Sequence, residues 1–344
     1  MKGDQPSILL VGSGMRTSLE NMYLRAFARN GFTGVHLFDL DPLVPSFCRR
    51  RFVNRLTLPL QHAKISQLFI AHLEKNRRAY DCIIVFKGMQ FSRVVLDKGK
   101  EIAGRALWIN INPDDPFNTA SPGASNQNVL DALSFYDLYC TWSLSLVDKL
   151  SECKARCVMY LPFGYDEEFH QPPSLKEPSP DLVSFVGSWD PEREHILSRL
   201  VHCNLVVYGN GWRHVRTISP LRQHIAFRDL FGGELAQVIG GSALSLNLLR
   251  PQNTGSHNMR TFEIPAMGGL MLTNRTVEQQ KFFPENEACY MYGDMGELKE
   301  KIEYILTHPH EADQVRARGL ELVHAHSYAG RVRQLMQELE GLVS

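Results

Sequence analysis

The sequence predicts an α/β protein built of two doubly wound domains in tandem. Three observations carry that expectation. Short runs that are apolar throughout recur between amphipathic stretches of helical period, the pattern of parallel strands covered by helices on both faces. A polar stretch punctuated by Pro172, Pro173, Pro178 and Pro180 interrupts the pattern, which then restarts. The 344 residues suffice for two cores, at roughly 100–200 residues per domain.

In the first half, Ile8–Val11 reads as a buried strand followed by the turn Gly12-Ser13-Gly14. Leu19–Asn30 then sets Leu19, Met22, Tyr23, Ala26 and Phe27 at helical spacing, and Gly31 ends that helix. Strands are expected at Val35–Asp39, Cys82–Phe86, Leu107–Ile111, Leu138–Thr141 and Val158–Leu161. After the prolines, Leu182–Val186 is a strand, Pro191–Val201 a helix, and Leu205–Tyr208 and Ala243–Leu248 are strands. A helix ends at Ile264–Met267, Gly268-Gly269 breaks it, and Leu270–Thr273 is the next strand. Glu297–Leu306, Gln314–His324 and Val332–Leu342 close the chain as helices. Each half thus reads as a Rossmann-like domain.

Composition narrows the function. The 37 Lys and Arg balance 37 Asp and Glu, so nothing in the bulk charge favours nucleic acid, and none is expected as a partner. No apolar run approaches the ~18–20 residues that cross a bilayer, and the first apolar stretch is too short for a signal peptide. A cytoplasmic protein is expected. Seven cysteines, an odd number with no Cys-x-x-Cys pair, point away from a disulfide framework or a structural zinc site. Arg49, Arg50 and Arg51, set among Phe47, Phe52 and Val53, read as a solvated helix face or as a weak peripheral contact with the inner face of a membrane.

In doubly wound sheets ligands bind beyond the carboxyl ends of the strands, so the residues after each strand matter most. Gly12-x-Gly14 with Asp39 hints at a dinucleotide site, but position 17 is Thr where the third glycine belongs, and a tight turn is the better reading. Asp39-x-Asp41 is an open carboxylate pair, a poor cage for Mg²⁺ by itself and better read as a turn. Asp114 and Asp115, after the Leu107–Ile111 strand, read equally as a proline-fixed turn or as a pair whose repulsion raises one carboxyl toward a general base.

The second half is richer. Gly187-Ser188 leads into a helix with Asp190 at its cap, Pro191 at its first position and Arg193 one turn in, an arrangement suited to a phosphate or simply to a capped helix. Tyr208-Gly209-Asn210-Gly211-Trp212 would hold a flat base or form a turn. In Asn258-Met259-Arg260-Thr261-Phe262-Glu263, the i, i+3 spacing puts Arg260 and Glu263 on one helix face, about 4.5 Å apart along the axis. Such a pair offers a cation for a diphosphate and a carboxylate for two ribose hydroxyls; a plain helix ion pair is the alternative.

These segments together resemble the spore-maturation (CgeB-like) glycosyltransferases. The likeness runs through Phe185-Val186-Gly187-Ser188, Arg193, Tyr208-Gly209-x-Gly211-Trp212, Asn247 and Asn258-x-Arg260-x-Phe262-Glu263-x-Pro265-Ala266-x-Gly268-Gly269, and ends at His326-Ser327-Tyr328 and Arg331. Weaker matches lie in Phe86-Lys87-Gly88, Asp114-Asp115-Pro116-Phe117 and Leu161-Pro162-Phe163-Gly164. The resemblance implies a GT-B fold: an acceptor domain over 1–170, a nucleotide-sugar donor domain over 171–326, and a C-terminal crossover helix, 327–344, packing back on the first. It implies a transferase that moves a sugar from a nucleoside-diphosphate donor, UDP-sugar above all, to a glycan, lipid-linked or protein acceptor, with no cofactor and no metal.

The donor-binding residues would be Gly187, Ser188, Arg193, Tyr208, Gly209, Asn258, Arg260 and Glu263, with Asp114, Asp115 and Arg260 in catalytic roles. The wider group of such transferases carries a sugar-binding glutamate eight residues before the ribose-binding one, where this chain has Gly255. Two other readings stand beside this one. They are an epimerase or hydrolase of sugar nucleotides on the same fold, and a non-catalytic scaffold that keeps the donor fold.

Overall fold

The structure, a computed structural model, describes residues 5–43, 51–121, 123–174, 178–250, 253 and 255–343, with no side-chain detail for 51–56 and 343. Arg49 and Arg50 lie outside the described residues, as does the side chain of Arg51. The chain divides into two compact units, residues 1–162 with 328–344 and residues 163–327.

The first unit runs β1 (Ile8–Gly12), α1 (Leu19–Arg29), β2 (Val35–Asp39), α2 (Arg51–Lys75), β3 (Cys82–Phe86), α3 (Arg93–Ala103), β4 (Leu107–Asn112), α4 (Gln127–Asp131), β5 (Leu138–Thr141), α5 (Val147–Glu152) and β6 (Val158–Tyr160). The second runs β7 (Leu182–Val186), α6 (Pro191–Leu197), β8 (Asn204–Tyr208), α7 (Gly232–Gly240), β9 (Leu244–Asn247), α8 (Arg260–Ala266), β10 (Met271–Asn274), α9 (Val277–Phe282), β11 (Tyr290–Tyr292), α10 (Met295–Thr307) and α11 (Pro309–Val323). The last helix, α12 (Tyr328–Val343), belongs to the first unit.

Both sheets are wholly parallel. The first has the order β2-β1-β3-β4-β5-β6 and the second β8-β7-β9-β10-β11. Counted within each unit, the second strand lies outside the first and the third lies inside it, so each sheet winds outward in two directions. The winding reverses between β1 and β3 in the first unit and between β7 and β9 in the second. At such a reversal the loops leave in opposite directions and open a crevice at the carboxyl ends of the strands.

Each unit has its own core. Phe69, Trp108, Phe135 and Tyr139 anchor the first; Val183, Phe185, Trp212, Leu246 and Leu272 anchor the second. Each such side chain contributes about 1.5–3 kcal/mol by burial. Helix α12 closes the first unit against α1: the Tyr23 and Tyr328 rings lie 5.2 Å apart, and Asn30 Nδ2 donates to the Ala329 carbonyl at 2.9 Å. Arg331, buried, donates from Nε to the Pro162 carbonyl at 3.1 Å, and burial lowers its pKa.

The division between the units falls at Pro162–Phe163, ahead of the expected 170–171. Residues 163–170 are held by hydrogen bonds within the second unit. Tyr165 N donates to the His326 carbonyl at 3.2 Å and pairs with Ser327 in a parallel bridge, and Phe163 N donates to His257 Nε2 at 3.2 Å. Helix α2 and strand β11 are absent from the sequence reading. Pro59 sits inside α2, and β11 is the short run Tyr290–Tyr292. Among the described residues no helix is long and apolar enough to cross a membrane, and the described cysteines are free thiols.

Candidate functional site

The crevice of the second unit opens where β7 and β9 end. After β7 the chain makes the turn Gly187-Ser188-Trp189, which lies against the turn after β8. Gly187 N donates to the Tyr208 carbonyl at 3.0 Å, and Trp189 N to the Asn210 carbonyl at 2.9 Å. Gly209 has φ +128°, and a Cβ there would sit 2.2 Å from the Gly187 carbonyl oxygen, so only glycine lets the turns meet. Trp212, which the sequence offered as a base platform, is buried and donates from Nε1 to the Gly187 carbonyl at 2.8 Å. It braces the turn from beneath. Beside it, the Trp189 and His214 rings lie with centroids 4.8 Å apart.

Three arginines converge on this edge. Arg193 is buried and spends its donors on the backbone: Nε and Nη2 reach the Leu248 carbonyl at 3.2 and 2.7 Å, and Nη1 the Ser188 carbonyl at 2.9 Å. It therefore ties the loop after β7 to the loop after β9. Burial pulls its pKa down to about 10, opposed by Asp190 and reinforced by the charges of Arg250 and Arg260. Those two remain partly open, Arg250 at 40% and Arg260 at 27% side-chain exposure. Asp190 holds the cluster: its Oδ1 caps α6 by accepting from Glu192 N and Arg193 N, and its Oδ2 lies 3.3 Å from Arg193 and 3.7 Å from Arg250. The first amides of α6 are thus occupied by their own cap.

Helix α8 carries the pair expected from spacing. Arg260 donates from Nε to the Val186 carbonyl at 3.2 Å and from Nη1 to Glu263 Oε2. Glu263 is buried, with its other oxygen 3.6 Å from Nε2 of His170, itself buried. Asp166 N donates to His170 Nδ1 at 3.0 Å, so the neutral imidazole carries its proton on Nε2, facing the carboxylate. Asn258, two residues ahead of α8, accepts from Thr261 N at 3.1 Å and donates to Asn247 Oδ1 at 2.8 Å. Gln279 Oε1 accepts from Thr261 Oγ1 at 2.8 Å and from Thr273 Oγ1 at 3.1 Å in the same buried network. Asn258 thereby fixes where α8 begins, and with it the position of Arg260. Behind the helix, His257 Nδ1 meets Glu278 Oε2 at 2.7 Å inside a box of Phe163, Phe262 and Phe282.

In the first unit, Asp114 and Asp115 follow β4 as expected. Asp114 Oδ2 accepts from Lys87 Nζ at 2.6 Å, and Asp115 Oδ1 accepts from Phe117 N at 2.9 Å, closing a turn. Lys87, at the end of β3, has φ +61°, a left-handed conformation that a non-glycine residue adopts only when its surroundings hold it there. Its ammonium also donates to the Gly123 carbonyl. At the β1–β3 reversal the glycine turn is filled by its own acids: Gly14 N donates to Asp39 Oδ1 at 2.7 Å, and Ser13 Oγ to Asp41 Oδ2 at 2.5 Å. A Cβ on Gly14 would lie 1.9 Å from Asp39 Oδ2. This is the tight turn. Among the described residues no group of three or more His, Cys, Asp and Glu is placed to hold a metal ion.

The sequence reading missed Arg250 and His170 as members of these edges and met Lys87 only inside the weak Phe86-Lys87-Gly88 match. Arg250 follows a strand end, a position worth inspecting in any doubly wound sheet; His170 gave no such signal, since its partner lies far along the chain.

Residues 193–337 match the family described as glycosyl transferase-like, a span that opens at Arg193 and includes all of α8. Among solved structures, a sucrose-phosphate synthase from Thermosynechococcus elongatus superposes with a TM-score of 0.69 at 18% identity, covering 98% of this chain and 100% of that one. HepE from Anabaena, in complex with UDP-glucose, gives 0.66 at 14% identity over 97% and 99% of the two chains. A glycosyltransferase from Rickettsia africae gives 0.62 at 12% over 99% and 100%. No curated protein matches the sequence. With two parallel-sheet units and these structural neighbours, the chain has the GT-B fold, and its segment 193–337 is similar to glycosyl transferases.

Proposed function

We propose that this protein is a glycosyltransferase that moves a sugar from a nucleoside-diphosphate donor, a UDP-sugar in the first instance, to a glycan, lipid-linked or protein acceptor. The observation that carries the reading is the convergence of Arg193, Arg250 and Arg260 on the β7–β9 reversal, with the buried Glu263 beside Arg260. A departing diphosphate develops negative charge, and fixed cations at a sheet's carboxyl edge stabilise it without reorganisation at the moment of reaction. Arg250 and Arg260 are open enough to touch it, while Arg193 holds the two loops that frame it. Glu263 accepts from the donor ribose. Asp114, set by Lys87, serves acceptor activation in the first unit. The string from Asn258 to Gly269 supports the spore-maturation type within this reading, and HepE bound to UDP-glucose supports the choice of donor.

Arginines rather than a metal neutralise the diphosphate in this reading. Thermal-shift measurement with UDP, UDP-glucose and UDP-N-acetylglucosamine, with and without EDTA, tests it directly. A ligand at 100 times its dissociation constant stabilises by about 2.7 kcal/mol. The expected shift survives chelation; a shift lost on chelation removes the metal-free reading, and no shift with any nucleotide removes the donor reading.

One observation favours a non-catalytic scaffold as the second reading. Gly255 stands where the sugar-binding glutamate belongs, and its φ of +85° is a left-handed conformation that penalises a side chain. UDP binding without turnover of any UDP-sugar is the result that reading expects.

A further inference from the structure

We propose that His170 is a positioning residue of the donor site, holding the Glu263 carboxylate in its ribose-accepting orientation once Arg260 turns to the diphosphate. The inference rests on the donor reading above and extends it to a residue outside α8.

In the ligand-free arrangement Arg260 neutralises Glu263 through Oε2, and His170 Nε2 stands 3.6 Å from Oε1, longer than a hydrogen bond. A bound diphosphate competes for the same guanidinium. Glu263 has 3% side-chain exposure, so water cannot replace the charge it loses. A buried carboxylate deprived of its cation needs other donors. Ribose hydroxyls supply two, and the His170 Nε2–H is a donor 3.6 Å from the second oxygen.

The imidazole is fixed for that task. Residues 166–170 form one closed turn: His170 N donates to the Asp166 carbonyl at 2.9 Å, and Asp166 Oδ1 accepts from Glu168 N at 2.8 Å and from Phe169 N at 3.2 Å. Asp166 N, donating to Nδ1, sets the tautomer. The ring therefore presents an N–H to Glu263 and cannot present a lone pair while that bond stands. A contraction of about half an ångström converts the contact into a hydrogen bond.

The experiment titrates the full-length parent, His170→Phe and His170→Gln calorimetrically with UDP and with inorganic pyrophosphate. His170→Phe, which has a ring but no donor, is expected to weaken UDP at least ten-fold while pyrophosphate affinity stays within two-fold. His170→Gln, whose amide donates from nearly the same position, is expected to recover UDP binding to within three-fold. Unchanged UDP affinity in His170→Phe overturns the proposal, as does an equal loss of UDP and pyrophosphate in both variants, which is the mark of a merely structural residue. A parent that binds neither ligand overturns the donor reading itself. Nitrogen-15 spectra of parent histidines give a readout without substitution. UDP is expected to move the His170 Nε2 proton downfield with the tautomer kept, and an unmoved signal at saturating UDP counts against the proposal.

Discussion

The Arg193 guanidinium donates twice to one acceptor, the Leu248 carbonyl, from Nε at 3.2 Å and Nη2 at 2.7 Å. Its third bond reaches the Ser188 carbonyl, so a single side chain stitches the two loops that bound the crevice. Arg193→Met keeps much of the apolar stem and leaves one buried and one half-buried carbonyl short of a donor. The expected loss of stability is about 2–4 kcal/mol, read from urea denaturation. Arg193→Lys, with a point charge where a fork is needed, is expected to recover less than half of it.

Glu263→Gln retains shape and removes charge-assisted acceptance. Donor affinity is expected to fall ten-fold or more, about 1.4 kcal/mol, in calorimetric titration with nucleoside and nucleoside diphosphate. Arg260→Ala is expected to weaken the diphosphate more than the nucleoside, since only the former carries charge for it. Equal binding by Glu263→Gln and the parent would return the pair to an ordinary helix ion pair.

Asp114→Asn is expected to lower transfer while leaving UDP binding intact, because its carboxylate lies in the first unit and is set by Lys87. Lys87→Met is expected to follow it in the same assay. Asp115→Asn tests the neighbour, whose carboxylate already closes a turn onto Phe117 N. Full transfer in all three would make this a structural turn.

A pH effect follows from Glu297. Arg275 and, next, the Gly293 amide hold its pKa down at about 2 against an ordinary 4.5. A carboxyl depressed on folding adds stability above its unfolded pKa, and that contribution fades as pH falls from about 4.5 toward 2. The urea midpoint of Glu297→Gln is therefore expected to lie below the parent's at pH 7, with the gap narrowing below about pH 4.5 and closing toward pH 2. A constant gap across that range would assign the effect to packing.

Much of this architecture is legible in the sequence because the strands are apolar throughout and the helices keep their period. Ile8, Cys82, Val183 and Leu244 each begin a run whose burial leaves no second reading. Helix α2, interrupted by Pro59, carries no such signal, and β11, Tyr290–Tyr292, went unread. The site divides in the same way. Arg260 and Glu263 lie on one helix, so their spacing announces them. Arg250 offers only its place after a strand end, and His170 comes to the crevice through the turn at 166–170, which no local pattern encodes. Gly255 looked like a missing side chain; its backbone conformation gives a positive reason for glycine.

The placement of α12 has a consequence for how the protein is made. The chain starts in the first unit, spends residues 163–327 on the second, and returns for its last helix. At translation rates of about 5–20 residues per second, some ten to thirty seconds separate emergence of the first sheet from that of the helix covering α1. During that interval the side of α1 that carries Tyr23 waits uncovered at the ribosome. The second unit, whose entry and exit are joined by the pairing of Tyr165 with Ser327, can complete itself meanwhile. The unit begun first is finished last, and a truncation that spares every residue of the second unit's crevice still leaves the newborn first unit without its closing helix.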